Sequence, residues 1–312
     1  MTEPIIRGSR RQLLQVGVVG TSVFTLSRLL SACGGSASSD PLDGPISQDM
    51  ALVQRWVPDQ IGPGAVRLPI SLADDAGLLL KGPRVLTGDI RSVTDDSVVV
   101  KGLTAQRSSL GEGLAPFWVF NTTLETVAFF TLVVDGGPAD GAAFQVSDPS
   151  TLVVPRSSDR LPALDTPTAD NHQGVEPYCT QMPEPCPFHE MTLAEALQKN
   201  QRVVLIVGTP AHCRTGVCAP ELDGMVTMSK DLTDVIFIHA DVYLDDSATT
   251  VAPTVEELKL TFEPVVWVTD NSGVITHRFE GVWHPDEVRQ ALTCHHAKAS
   301  EKGLAERLAA TA

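Results

Sequence analysis

Two cysteines separated by four residues, Cys213-Arg-Thr-Gly-Val-Cys218, are the part of this sequence best suited to chemistry. Paired thiols exchange with disulfides when one is a thiolate and the other stands close enough to displace the captured partner. A disulfide requires Cα atoms about 4.4–6.8 Å apart. Five residues along a regular helix advance about 7.5 Å and rotate about 140°. The pair therefore has to span a loop and the start of a helix, which Gly216 and Pro220 permit. A helix N-terminus carries partial positive charge that stabilises a thiolate, and His212 and Arg214 add to it. Cys213, nearer the loop, reads as the attacking thiol and Cys218 as the resolving thiol. A structural disulfide and a metal-binding pair are the other readings of the same spacing.

The chain has six cysteines. Cys179 and Cys186 bracket the Pro-rich stretch Thr-Gln-Met-Pro-Glu-Pro and are expected to form a structural disulfide, with a second redox pair as the alternative. Cys294-His295-His296 reads as a free thiol beside two solvated histidines. No cofactor and no metal are expected.

The elements around the central pair follow from pattern. Thr192-Leu-Ala-Glu195 and Thr254-Val-Glu-Glu257 have capping-box spacing. Arg202–Val207 and Val235–His239 are continuous apolar runs of the kind found in buried strands. Pro220–Ser229 and Pro285–Thr293 read as helices, and Val265–Val268 and Val274–Phe279 as strands joined by the turn Asp270-Asn-Ser-Gly273. The order is β–α–β–α–β–β–α with the cysteines after the first strand.

That order resembles the thioredoxin family, whose Cys-x-x-Cys is here Cys-x₄-Cys. Residues 200–293 carry the resemblance. Thr261-Phe-Glu-Pro264-Val-Val266 stands where thioredoxin-like proteins place a cis-proline before the third strand. The resemblance implies that Glu263 and Pro264 present backbone groups to a partner peptide. With the β-rich segment and Cys-x₆-Cys upstream, the chain is similar to exported thioredoxin-like lipoproteins of high-GC bacteria.

Residues 61–155 alternate short apolar runs, such as Val66–Leu72, Phe117–Asn121 and Val127–Val134, with turn residues. That spacing predicts an all-β sandwich, and the arrangement resembles small immunoglobulin-like domains of exported bacterial proteins. The expected fold class is α/β, a thioredoxin-like domain over 191–298 behind that sandwich, with a Pro-rich linker over 156–190 and a tail over 299–312.

The N-terminus reads as an address. Gly8-Ser-Arg10-Arg11-Gln-Leu-Leu14 resembles a twin-arginine export signal, and the apolar stretch after it is too short to span a bilayer. Leu30-Ser-Ala-Cys33-Gly34 resembles a lipobox, so 1–32 is expected to be removed and Cys33 lipidated, with 33–60 as a flexible tether. The net charge of −15 argues against nucleic acid as a partner.

The expected function is a membrane-tethered, extracytoplasmic thiol–disulfide oxidoreductase. Its partners would be cysteine-containing exported proteins or another redox protein. The rival is a binding protein, most sharply a copper chaperone, with His277 or His284 as a third ligand beside Cys213 and Cys218.

Overall fold

The structure, a computed structural model, describes residues 46–293. The twin-arginine stretch, the lipobox with Cys33, most of the tether's first half, Cys294-His295-His296 and the tail lie outside the described residues. Among the described residues no helix is long and apolar enough to cross a membrane.

Eight strands come first: β1 (Ala51–Gln54), β2 (Gly64–Asp74), β3 (Gly77–Leu78), β4 (Val85–Ser92), β5 (Val98–Ser108), β6 (Phe117–Leu124), β7 (Ala128–Val134) and β8 (Ala142–Val146). They form one antiparallel sheet in the order β1-β2-β6-β5-β4-β7-β8, with β3 paired to β2. Alternate residues point inward. Leu68, Ile70, Ile90, Trp118, Phe120, Leu132 and Phe144 all lie in one buried core.

The rest of the chain adds α1 (Leu193–Leu197), β9 (Arg202–Val207), α2 (Cys218–Ser229), β10 (Val235–Ala240), α3 (Pro253–Glu257), β11 (Val265–Thr269), β12 (Ile275–Glu280) and a helix over 285–293. The second sheet has the order β10-β9-β11-β12. Strands β9 and β10 are parallel, and β11 is antiparallel to both β9 and β12. Every residue of β9 is buried, because it lies between two strands and is covered on both faces. Val204 and Ile206 join α2 and helix 285–293 on one side, while Val203, Leu205 and Val207 meet α1 and α3 on the other.

Both halves of the expected fold class are corrected. The chain is mostly β, with one large, nearly closed sheet and one small sheet, and does not have a thioredoxin-like α/β fold. The capping boxes announce helices but not their length: α1 and α3 stop after five residues each. Thr192 and Glu195 do form a reciprocal capping box, whereas Thr254 does not cap. Pro253 takes the start of α3 after Ala252, where its fixed φ and missing N–H cost nothing.

The first region is not a two-sheet sandwich but one sheet that curls until it nearly closes like a barrel. The reason lies in β5. Its eleven residues pair with β4 over Val98–Gln106 and with β6 at Arg107 and Ser108, so one strand serves both sides of the core. At the open seam Gln54 Nε2 donates to the Ala143 carbonyl at 2.8 Å, linking β1 to β8.

The two sheets are tied to each other. Arg67 on β2 makes a bidentate pair with Glu287, 2.9 Å for each bond, and donates to the Val282 carbonyl at 2.8 Å. Arg278 on β12 donates to the Gln60 carbonyl at 2.7 Å.

Candidate functional site: a thiol pair at the start of a helix

Cys213 lies in the turn after β9, and Cys218 is the first residue of α2. Gly216 makes the intervening turn with φ of +70°, a conformation that costs glycine little. No side-chain oxygen caps α2. Instead the Cys218 N–H donates to the Cys213 sulfur at 3.4 Å, which satisfies one of the helix's orphan donors. The Thr215 hydroxyl lies 3.3 Å from the same sulfur.

These contacts separate the two thiols in acidity. The adjacent Cys218 side chain, with hydrogen bonds from Thr215 and two backbone groups, outweighs burial and lowers Cys213 to about 5. Cys218 is pushed up by the same contact with Cys213, by burial, and by the negative charge of Glu263. Cys213 is half-buried, and Cys218 is 3% exposed. A reachable thiolate therefore stands beside a protected thiol.

Glu263 completes the group. Its Oε2 accepts the Cys218 S–H at 2.8 Å. Burial, and then the nearby Cys213 charge, raises its own affinity for a proton. The ligand atoms of Cys213, Cys218 and Glu263 all lie within 4.8 Å of one another. The Glu263–Pro264 bond is cis. Gly208, at the end of β9, lets Pro264 and Cys218 approach: a Cβ there would stand 3.3 Å from Pro264 Cβ and 3.8 Å from the Cys218 sulfur.

The first sheet reaches this site. Phe117 of β6 is buried with Val217 and Val282, and Cys213, Leu110 and Val119 pack against that cluster. Arg55, just past β1, interacts electrostatically with Cys213 and with Glu221. Glu221 is one turn into α2 and 1% exposed. Burial raises its pKa well above the usual carboxylate range, against the hydrogen bond from the Trp283 N–H at 3.0 Å. None of Arg55, Glu221 and Phe117 was singled out by sequence. Arg55, just past β1, and Phe117 of β6 come from far upstream in the chain, and Glu221 only stands out as the acid on the buried side of α2.

Among the residues expected to lend charge, Arg214 is exposed, and the His212 ring meets Tyr243 edge-on at 5.7 Å. The two histidines considered as third ligands fall elsewhere. His277 stacks on Phe279, and the His284 ring accepts the Asp286 N–H. Neither joins the cluster around Cys213 and Cys218, whose third member is a carboxylate, a hard group that a Cu(I) site does not favour.

Cys179 and Cys186 are free thiols in the structure, as are Cys213 and Cys218. The expected Cys179–Cys186 disulfide is thus not formed. The two sulfurs share a pocket with two histidines, His189 and His239, that the sequence analysis did not select. In that pocket the hydrogen bond from Cys186, reinforced by both histidines, overcomes burial and holds the Cys179 thiol down, while the same bond and burial push Cys186 up.

No protein-family model matches the chain, and no similar curated protein was found.

Proposed function

We propose that Cys213 and Cys218 are a thiol–disulfide exchange pair. The observation that carries the reading is the Cys213 sulfur at the start of α2, accepting the Cys218 N–H, beside a buried Cys218 thiol 2.8 Å from the Glu263 carboxylate. The Cys213 thiolate attacks one sulfur of a partner disulfide, forming a mixed disulfide and releasing the partner's other sulfur as a thiolate. Cys218 then gives its proton to Glu263 and attacks the Cys213 sulfur. The Cys213–Cys218 disulfide forms, and the partner leaves as a dithiol. Two electrons pass from the protein to the partner, and the reverse sequence oxidises the partner. Stabilising the Cys213 thiolate favours the dithiol state, which makes the disulfide form the better oxidant.

The twin-arginine and lipobox sequences support an extracytoplasmic setting, with the acyl-modified Cys33 holding the protein at the membrane face. Cysteine-containing exported proteins are then the natural partners. Turnover of a fluorescent mixed disulfide by the full chain tests the reading. Activity must vanish in Cys213→Ser, and Cys218→Ser must trap the partner covalently. Turnover that survives Cys213→Ser refutes it.

A further inference from the structure

The pocket around Cys179 and Cys186 brings two sulfurs and two ring nitrogens together. His239 sits on β10, and its Nε2 lies 3.1 Å from the Gly208 carbonyl. His189 lies in the loop before α1, and its Nδ1 lies 3.1 Å from the Pro167 carbonyl. A carbonyl only accepts, so each of those ring nitrogens carries the proton. In the neutral rings the remaining nitrogens, His239 Nδ1 and His189 Nε2, carry lone pairs, and they face each other at 3.2 Å. The sulfurs of Cys179 and Cys186 stand 3.6 and 3.5 Å from the same His239 nitrogen. All four ligand atoms lie within 4.8 Å of one another, and all four residues are buried. Two sulfurs and two imidazole nitrogens converging in a buried pocket are the donor set of a transition-metal ion.

We propose that Cys179, Cys186, His189 and His239 form a tetrahedral Cys₂His₂ site for a divalent transition metal, zinc above all. In a regular tetrahedron, Zn–S bonds of about 2.3 Å and Zn–N bonds of about 2.0–2.1 Å give S···N edges of about 3.6 Å and N···N edges of about 3.3–3.4 Å. The three separations at His239 are close to those edges, and all four atoms stay within 4.8 Å of one another. The orientation of both rings is already fixed by a backbone carbonyl behind each, the usual outer support of a ligating histidine.

Charge balances as well. The metal replaces the two thiol protons, which pass to solvent, and the two thiolates neutralise its two positive charges. With four protein ligands the site is closed, so its role is structural. It fastens the long loop before α1, which has few regular elements of its own, to β10, beside the backbone bond from His239 N–H to the Phe188 carbonyl at 3.1 Å. The site is separate from the exchange pair and does not depend on its activity.

The test is a metal titration of the reduced full chain carrying Cys213→Ser, Cys218→Ser and Cys294→Ser, which leaves Cys179 and Cys186 as its only paired thiols. Cobalt(II) chloride is added first, then zinc chloride. One equivalent of cobalt is expected to give the intense visible bands of a tetrahedral centre and a near-ultraviolet thiolate-to-cobalt transition, and one equivalent of zinc is expected to abolish both. Adding His189→Gln is expected to weaken cobalt binding about tenfold or more. The absence of a tetrahedral thiolate spectrum overturns the proposal, and so does unchanged cobalt affinity after Cys179→Ser and Cys186→Ser. The spectrum of the unaltered ligand set decides the question even if a ligand variant fails to fold.

Discussion

The sulfur of Cys213 caps the helix that begins at Cys218, accepting its backbone N–H at 3.4 Å. This contact fixes the distance between the thiols, and it joins the Cys218 side chain and Thr215 in favouring charge on the outer one. A thiolate accepts that bond better than a thiol does, so the helix start and the ionised form support each other.

The first consequence is a pH profile. Alkylation of Cys213 by iodoacetamide in the reduced protein should follow a midpoint near pH 5, against about 8.5 for an unperturbed thiol. Because the folded pKa lies below the unfolded one, reactivity is present through neutral pH and fades as pH falls through that midpoint. A midpoint near 8.5 would remove the capping argument. Mass spectrometry of labelled peptides reads Cys213 separately from the other thiols.

Glu263 should matter in the second half of the exchange and not in the first. With Glu263→Gln the Cys218 proton loses its acceptor. Attack by Cys213 stays fast, while release of the partner slows by roughly 10²-fold, the ordinary scale of one proton transfer. Quenched-flow trapping should show the mixed disulfide accumulating. Equal slowing of both steps would assign Glu263 a structural role instead.

Glu221 offers a test of burial. Its carboxyl is buried and its pKa is raised, so its ionisation works against the fold, and stability is lost as pH rises through the folded value. Glu221→Gln keeps an oxygen for the Trp283 N–H. Its melting temperature should equal that of the parent at acidic pH and exceed it as pH rises above the ordinary carboxylate range. A gain of about 1 kcal/mol corresponds to a few degrees in a chain of this size. A variant that is less stable at every pH would show that the charge is needed.

Arg67 connects the two sheets near the site. Arg67→Ala removes the bidentate pair with Glu287 and the bond to the Val282 carbonyl, and Val282 belongs to the cluster that backs Cys213. The expected loss is roughly 2 kcal/mol, because the carboxylate loses charge-assisted bonds in a partly buried place. Thermal unfolding measures it, and no change in melting temperature would count against this tie.

How far sequence reached can be read from particular residues. The Cys213–Cys218 placement was legible because a spacing of five residues is incompatible with a single helix. Strand β9 was legible because an unbroken apolar run must be covered on both faces. The shape of the first sheet was not. Alternation says which face of a strand is buried, not which strand lies beside it, and the pairing of β5 with both β4 and β6 depends on tertiary contacts. The order of elements in the second half suggested a fold class that their lengths overturned. The Cys179, Cys186 and His189 spacing was visible, but the fourth member, His239, is 50 residues from His189 and is brought in only by the pairing of β10 with β9. Without it, two cysteines around prolines look like a disulfide.

The most direct test of the exchange pair is its reduction potential, measured by thiol trapping of the full chain carrying Cys294→Ser across a graded redox buffer. A value above about −250 mV for Cys213–Cys218 is the result expected of an exchanging pair with a stabilised thiolate. A value below about −300 mV would mark a structural disulfide and contradict the proposed function.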